Sequence, residues 1–299
     1  PPAAMGSVVA LIGLELSGTA ASMGGLILSG TYTQIDPKKV AVFTITLCVA
    51  VFGSVLFKKF LSVIPILVAI ITGYIASAFL GIVNLDAVKS APVFSIPNFQ
   101  PAKFDLTAIS IILPATLVVV SEHIGHQIVT GKIVGRDIIK VPGLDKTLLG
   151  DGLSTMLSGF CGENIGVMAM TGVYSVWVIG GAAVLSILIS FFGKVSALIH
   201  SIPDPVMGGV SFLLYGMIAA SGIRLLVDQR VDYGRSRNLA MTSVVLVTGL
   251  SGAFVQVGKV KLTGMALGAV VAMLMGLIFW IIDKFHIAND YDDVTKDEA

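Results

Sequence analysis

The sequence predicts an all-α polytopic membrane protein, and three observations carry that prediction. The 299 residues are 55% hydrophobic and 12% charged, about half the charged fraction of an ordinary soluble domain. Several uncharged runs, among them Leu61–Leu85 and Asn164–Gly193, exceed the roughly 18 residues that a bilayer span requires. The basic residues gather in short clusters between such runs. A net charge of +1 gives no reason to expect a nucleic-acid partner. Cys48 and Cys161, both in apolar segments, read as buried free thiols, without a disulfide framework. No signal peptide is visible, and the chain opens on Pro1-Pro2 without an initiator Met.

Taken in order, a first helix over Ala3–Gly24 follows the two prolines, which helix starts tolerate, and carries one acid, Glu15. A polar loop, Ser29–Lys39, leads to helices over Val40–Leu56 and Leu61–Ile82, with Lys58 and Lys59 between them. Residues 84–105, rich in Pro and Phe, form a long loop with room for some extended structure. A helix over Leu106–Gly131, with a kink at Pro114, ends at a basic loop holding Lys132, Arg136, Lys140 and Lys146. The segment Gly152–Gly172 and helices over Tyr174–Ala197 and Pro205–Gly222 follow. A second basic loop carries Arg224, Arg230, Arg235 and Arg237, and two last helices cover Leu239–Val257 and Leu262–Phe285. The acidic tail Asn289–Ala299 reads as disordered. Met207 and the phenylalanines read as core.

With both basic loops in the cytoplasm, twelve Lys and Arg lie inside and seven outside, in keeping with the positive-inside tendency. The C-terminal tail is then cytoplasmic. Parity singles out one segment. Two crossings, by the helices at Tyr174 and Pro205, already separate the basic loops, so Gly152–Gly172 crosses twice or not at all. Its 21 residues suffice for one full span. Two short half-elements meeting near Glu163 satisfy the constraint, the arrangement at which secondary transporters hold substrate.

Chemistry concentrates in two stretches. In Leu106–Gly131 the ionisable residues are Glu122, His123 and His126, within Ser121–His126. A helix begun at Leu106 puts Glu122 roughly 24 Å along its axis, within or at the edge of a hydrocarbon core about 30 Å thick. His126 shares its face at i+4, whereas His123 points about 100° away and reads as structural. The second stretch, Gly162–Gly172, holds Glu163. Intramembrane acids are costly unless they meet a partner, water or substrate, so both glutamates read as functional. No enzyme motif is visible. Glu122 and His126 alone make an incomplete metal-ligand set.

An internal repeat also shows. Residues 1–8 (PPAAMGSV) align with residues 203–210 (PDPVMGGV), and each copy opens a helix that two more follow. Seven crossings separate the copies, so their orientations are opposite, as in transporters built from inverted repeats. Material matching the stretch between the copies would precede Pro1, so the chain reads as N-terminally truncated.

On these motifs the chain resembles the nucleobase–cation symporter (nucleobase–ascorbate transporter) family, and within it the branch of bacterial uracil permeases. The family signature is Gln/Glu/Pro, Asn, any, Gly, any four, Thr, then Arg/Lys/Gly. Glu163, Asn164, Gly166, Thr171 and Gly172 fill it. SEHIGH resembles the family's other substrate-helix motif, and VYSVWVIGGAA and DPVMGGVSFLLYG are also similar. The resemblance implies an inverted seven-plus-seven span fold with core and gate domains, about the last ten spans being present. Residues 1–83 and 203–285 would be gate-domain helices, 84–105 an extracytoplasmic loop, 106–199 core-domain helices and 286–299 a cytoplasmic tail. One departure stands out: the family's Asn-Thr-Thr-Tyr run is missing, and Phe160-Cys161 passes directly into Gly162-Glu163.

The resemblance further implies proton-coupled uptake of uracil across the bacterial inner (cytoplasmic) membrane, with the proton as coupling ion and no other cofactor. Glu122 would accept the ring N–H groups of uracil, and His126 would share or relay the proton. Backbone N–H groups at Gly162 and Glu163 would meet the carbonyl oxygens. Tyr215 matches a gate-domain tyrosine facing the site, Asn164 reads as a packing hydrogen bonder, and Glu15 reads as a structural pairing. A homodimer is allowed but not required. The rivals are a purine (xanthine or urate) symporter of the same fold, a channel or anion transporter sharing the architecture, and an inert fragment.

Overall fold

Proline opens the principal helices of the computed structural model. The structure describes residues 1–27, 35–95, 134–161, 176–257 and 260–285. It also describes residues 104, 106, 109, 116, 119, 120, 123–125, 127, 128, 130 and 131. Helix α1 spans Pro2–Met23, α2 Pro37–Leu56 and α3 Pro65–Phe79. Each begins where a proline ring supplies the helical φ and its missing N–H costs nothing. Asp36 caps α2, its carboxylate accepting from the Lys38 N–H at 3.0 Å. The described residues from 106 to 134 are all helical, while Pro114 lies outside the described residues. Then come α5 (Leu144–Cys161), α6 (Val176–Ser190), α7 (Gly193–His200), α8 (Asp204–Asp228), α9 (Ser236–Leu250) and α10 (Gly264–Lys284). Of the described helices, α1, α2, α8 and α10 are long and apolar enough to cross a bilayer.

Several expected boundaries move. The described part of the 84–105 loop contains a short helix, α4 (Asp86–Ser90). Lys146 is not in a loop: α5 starts at Leu144, with Asp145 in its first turn where the helix dipole favours an acid. The helix leading into Glu163 is therefore 18 residues long, not a short half-element beginning at Gly152. The helix expected over Tyr174–Ala197 is broken at Phe191-Phe192. There the Ser95 N–H donates to the Phe191 carbonyl at 2.9 Å, and the rings of Phe94 and Phe191 stack at 6.0 Å. Helix α8 runs past Gly222 to Asp228, taking Arg224 out of the loop.

The all-α expectation needs one amendment. An antiparallel hairpin, β1 (Phe254–Val257) with β2 (Val260–Thr263), precedes α10, and Lys261 Nζ sits 4.4 Å over the Phe254 ring. Cys48 is exposed rather than buried, while Cys161 has no described side-chain environment. Among the phenylalanines Phe43 is buried, but Phe52 and Phe79 are exposed, and Met207 is 37% exposed. In a membrane protein a large apolar side chain can face acyl chains, and small residues make the helix contacts. The acidic tail lies outside the described residues.

The chain divides into two compact units. The first comprises Pro1–Leu16, Lys103–Gly150 and Tyr215–Ala299. In it, the start of α1 runs against the second half of α8, so closely that a Cβ at Gly222 would overlap the backbone of Ala10. Leu11, fully buried, fills the space left by Gly249 on α9 and Gly268 on α10. Val8, Met241, Val245 and Ala269 complete this core. The Ser7 hydroxyl bonds the Ala3 carbonyl at 2.5 Å and lies 3.1 Å from Thr242 Oγ1. Arg237 and Asp283 pair at 2.9 Å, joining the first turn of α9 to the last of α10.

The second unit comprises Ser17–Ala102 and Asp151–Leu214. Here α2 and α3 pack together and onto the start of α8. Ala50, Ala69 and Val210 form the centre, and Gly209 lies against Phe43 and Thr46. Phe43 meets Phe212 edge to face at 5.7 Å.

Glu15 has the structural role expected of it. Its carboxylate accepts the N–H of Met265 in the first turn of α10, and a Cβ at Gly264, whose φ is 53°, would collide with that carboxylate. The carboxylate thus satisfies one of the orphan donors of the helix start. Glu15→Gln, which keeps an acceptor oxygen, is expected to leave thermal stability nearly unchanged. Glu15→Leu is expected to lower stability by about 1–3 kcal/mol, the cost of an unpaired buried donor. Thermal unfolding of the two purified variants is the measurement.

Candidate functional site

Of the residues marked by the sequence, Tyr215 is described, together with the middle of SEHIGH. Glu122, His126, Gly162, Glu163, Asn164, Gly166, Thr171 and Gly172 lie outside the described residues. The structure nevertheless locates what stands next to them. His123 is half-buried, and its Nε2 is 3.4 Å from the Gln127 amide one turn on. That bond runs along its own helix, in keeping with a structural role. Gly125, three residues after Glu122 and one before His126, is buried, and a Cβ there would come 3.1 Å from Val9 of α1.

Tyr215, half-buried on α8, has its backbone carbonyl against Gly13 of α1. Val9 and Gly13 are four residues apart and so share one face of α1, about 6 Å apart along its axis. A single turn of α1 therefore brings the SEHIGH segment and Tyr215 to the same helix face. Sequence reasoning did not single out Val9 or Gly13. The available signal was Gly13, a small residue in an apolar helix, which marks a place where another backbone can come close.

On the other side of the motif, α5 runs to Cys161, the residue before Gly162, and α6 begins at Val176, four residues after Gly172. The signature motif is thus flanked by helices on both sides. A cavity of about 430 Å³ in the second unit, lined by Lys39, His200 and Asp204 among others, includes none of the residues marked by the sequence.

The family model described as Permease family matches residues 1–258. The chain belongs to this permease family. Curated relatives agree. The chain is 54% identical over 300 residues to the uracil permease of Paenibacillus larvae subsp. larvae, covering 97% of this chain and 71% of the relative. It is 50% identical over 290 residues to the uracil permease of Escherichia coli (strain K12), covering 94% of this chain and 67% of the relative. With the uracil permease of Bacillus subtilis (strain 168) the identity is 43% over 295 residues, 93% and 68% of the two chains. The permease is a transmembrane transport protein, not an enzyme. Its apolar helices and exposed Phe and Leu side chains follow from that setting.

Proposed function

We propose that the permease takes up uracil across the cytoplasmic membrane as a proton-coupled symporter working by alternating access. The observation that carries the reading is identity of 54% and 50%, over nearly the whole chain, to relatives named uracil permease. In this reading Glu122 accepts the ring N–H groups of uracil, and His126, one turn on, shares the coupling proton. Backbone N–H groups at Gly162 and Glu163 meet the carbonyl oxygens, with Asn164, Gly166, Thr171 and Gly172 forming the signature around them. Tyr215 approaches from the gate helices, 1–83 and 203–285, while 106–199 belong to the core domain. The 84–105 loop is extracytoplasmic, and the C-terminal tail is cytoplasmic. No cofactor beyond the proton is invoked.

Packing supports the inverted repeat within this reading. A shift of 202 residues carries Gly6 onto Gly208 and Ala20 onto Gly222. In the first unit a Cβ at Gly6 would meet the Gly222 carbonyl; in the second, a Cβ at Gly208 would meet the Ala20 carbonyl. The same shift exchanges Gly13 and Tyr215, which meet each other. It also carries Leu11, seated over Gly249 and Gly268, onto Leu213, which packs on the cluster of Ala50 and Ala69. Both target pairs are 19 residues apart.

The test is uptake of labelled uracil by cells producing the full-length protein. Excess uracil, but not xanthine, is expected to compete, and a protonophore is expected to reduce accumulation at least about tenfold, since coupling to the proton gradient is the source of accumulation. Equal competition by xanthine would point to the purine reading. Accumulation indifferent to the proton gradient would sink the symport reading.

A further inference from the structure

The cavity in the second unit lies where spans end. Helices α2 and α8, both of span length, begin beside it: Lys39 is in the first turn of α2, and Asp204 is the first residue of α8. Helix α3 ends there as well, followed by Ile82 and Asn84, which line the cavity. A cavity at the level where membrane helices begin and end faces the headgroup layer of the bilayer. Its lining combines a cation, Lys39, with an acid, Asp204, and adds His200, Ser201 and Asn84 as further hydrogen-bonding groups. Ser201 is itself held, its hydroxyl 2.8 Å from the Tyr74 hydroxyl.

Below the cavity, α3 carries an exposed apolar stripe at four-residue spacing. Leu67, Ile71 and Ile75 are about half exposed and Phe79 is 87% exposed. At that spacing the side chains follow one slowly winding face, which runs from the first turn of α3 to its last residue, three before Ile82 of the cavity wall. The site thus offers a cation and an acid beside an apolar track.

We propose that this cavity seats the headgroup of a zwitterionic, amine-bearing phospholipid of the phosphatidylethanolamine class. Its phosphate lies toward Lys39 and His200, its ammonium toward Asp204, and one acyl chain along the α3 stripe. A phosphate needs the cation and the hydrogen-bond donors; an ammonium with N–H groups needs the carboxylate. A net-anionic phosphatidylglycerol would leave Asp204 without a counter-charge. A choline headgroup has no N–H to donate. The proposal requires only that the protein be membrane-embedded, so it is measured without nucleobase and stands or falls apart from the transport reading.

The experiment is native mass spectrometry of the full-length permease, delipidated in detergent and titrated with phosphatidylethanolamine, phosphatidylglycerol and phosphatidylcholine of matched acyl chains. Ethanolamine lipid is expected to bind best. Lys39→Gln is expected to weaken it about fivefold, the contribution typical of one basic residue at a lipid surface. Asp204→Asn is expected to remove the preference over phosphatidylglycerol. Phosphatidylglycerol binding as tightly as phosphatidylethanolamine to the unaltered protein would overturn the proposal, and so would two variants that bind ethanolamine lipid like their parent. Free phosphoethanolamine competing as well as whole lipid would overturn the acyl track. The lipid comparison on the unaltered protein holds even if a variant fails to fold.

Discussion

Glu122→Gln is expected to cut uracil uptake by the full-length permease about a hundredfold, with the protein still inserted and folded, and Glu163→Gln, which keeps the backbone N–H groups, is expected to have the smaller effect. Glutamine matches glutamate in shape, so packing should survive. It cannot hold a negative charge or take up a proton, however. Hydrogen bonds to a charged partner contribute about 1.5–3 kcal/mol each, and uracil offers two ring N–H groups. Loss of that charge at an intramembrane site with little water to replace it accounts for the size of the effect. Uptake is measured against protein quantified in the membrane fraction, with thermal stability in detergent as the folding control. If Glu122→Gln transports like the parent, Glu122 does not hold the ring N–H groups, and the proposed site is wrong.

The second large effect concerns packing. Gly222→Val is expected to lower the unfolding temperature by roughly 5–10 °C, because overpacking costs about 1–3 kcal/mol or more. A Cβ there would overlap the Ala10 backbone and the Gly6 carbonyl, and neither can rotate away as a flexible side chain could. Gly216, on the same helix, is the control. It is exposed, and a Cβ there meets no described atom. Gly216→Ala is expected to leave stability unchanged or to raise it by up to about 1 kcal/mol through helix propensity. Equal behaviour of the two variants would mean that α1 and α8 do not touch as described.

What the sequence revealed, and what it hid, follows from the kind of signal each feature carries. The starts of α1 and α8 were legible to within a residue because Pro2 and Pro205 act locally, whereas those at Pro37 and Pro65 were placed at Val40 and Leu61. The break between α6 and α7 was not. Phe191 and Phe192 sit inside a continuous apolar run, and the break is stabilised by Ser95 and Phe94, nearly a hundred residues away in sequence. The β1–β2 hairpin was absorbed into its neighbours because four-residue strands beside an apolar helix give too short an alternation to stand out. Lys146 was assigned to a loop on its charge alone, although a helix end tolerates charge.

The site divides in the same way. Glu122 and Glu163 were legible because an acid in an apolar run is chemically incongruous. The Val9–Gly13 face of α1 was not, because nothing local says which face of an apolar helix a neighbour will cover. The exposed Phe52, Phe79 and Met207 reversed the expectation of a core for a related reason. In a bilayer, hydrophobicity no longer separates inside from outside.

The interleaving of α1–α3 with α8–α10 has a consequence for biosynthesis. In the first unit, Leu11 finds its seat on α9 and α10; in the second, Ala50 and Ala69 meet Val210 of α8. Neither three-helix group can bury its contact face using its own residues. With 124 residues between Phe79 and Asp204 and ribosomes adding about 5–20 residues per second, the first three helices wait roughly 6–25 s in the membrane before their partners begin to emerge. During that interval their glycine- and alanine-lined faces meet lipid, and any membrane chaperone serving this permease would act within it.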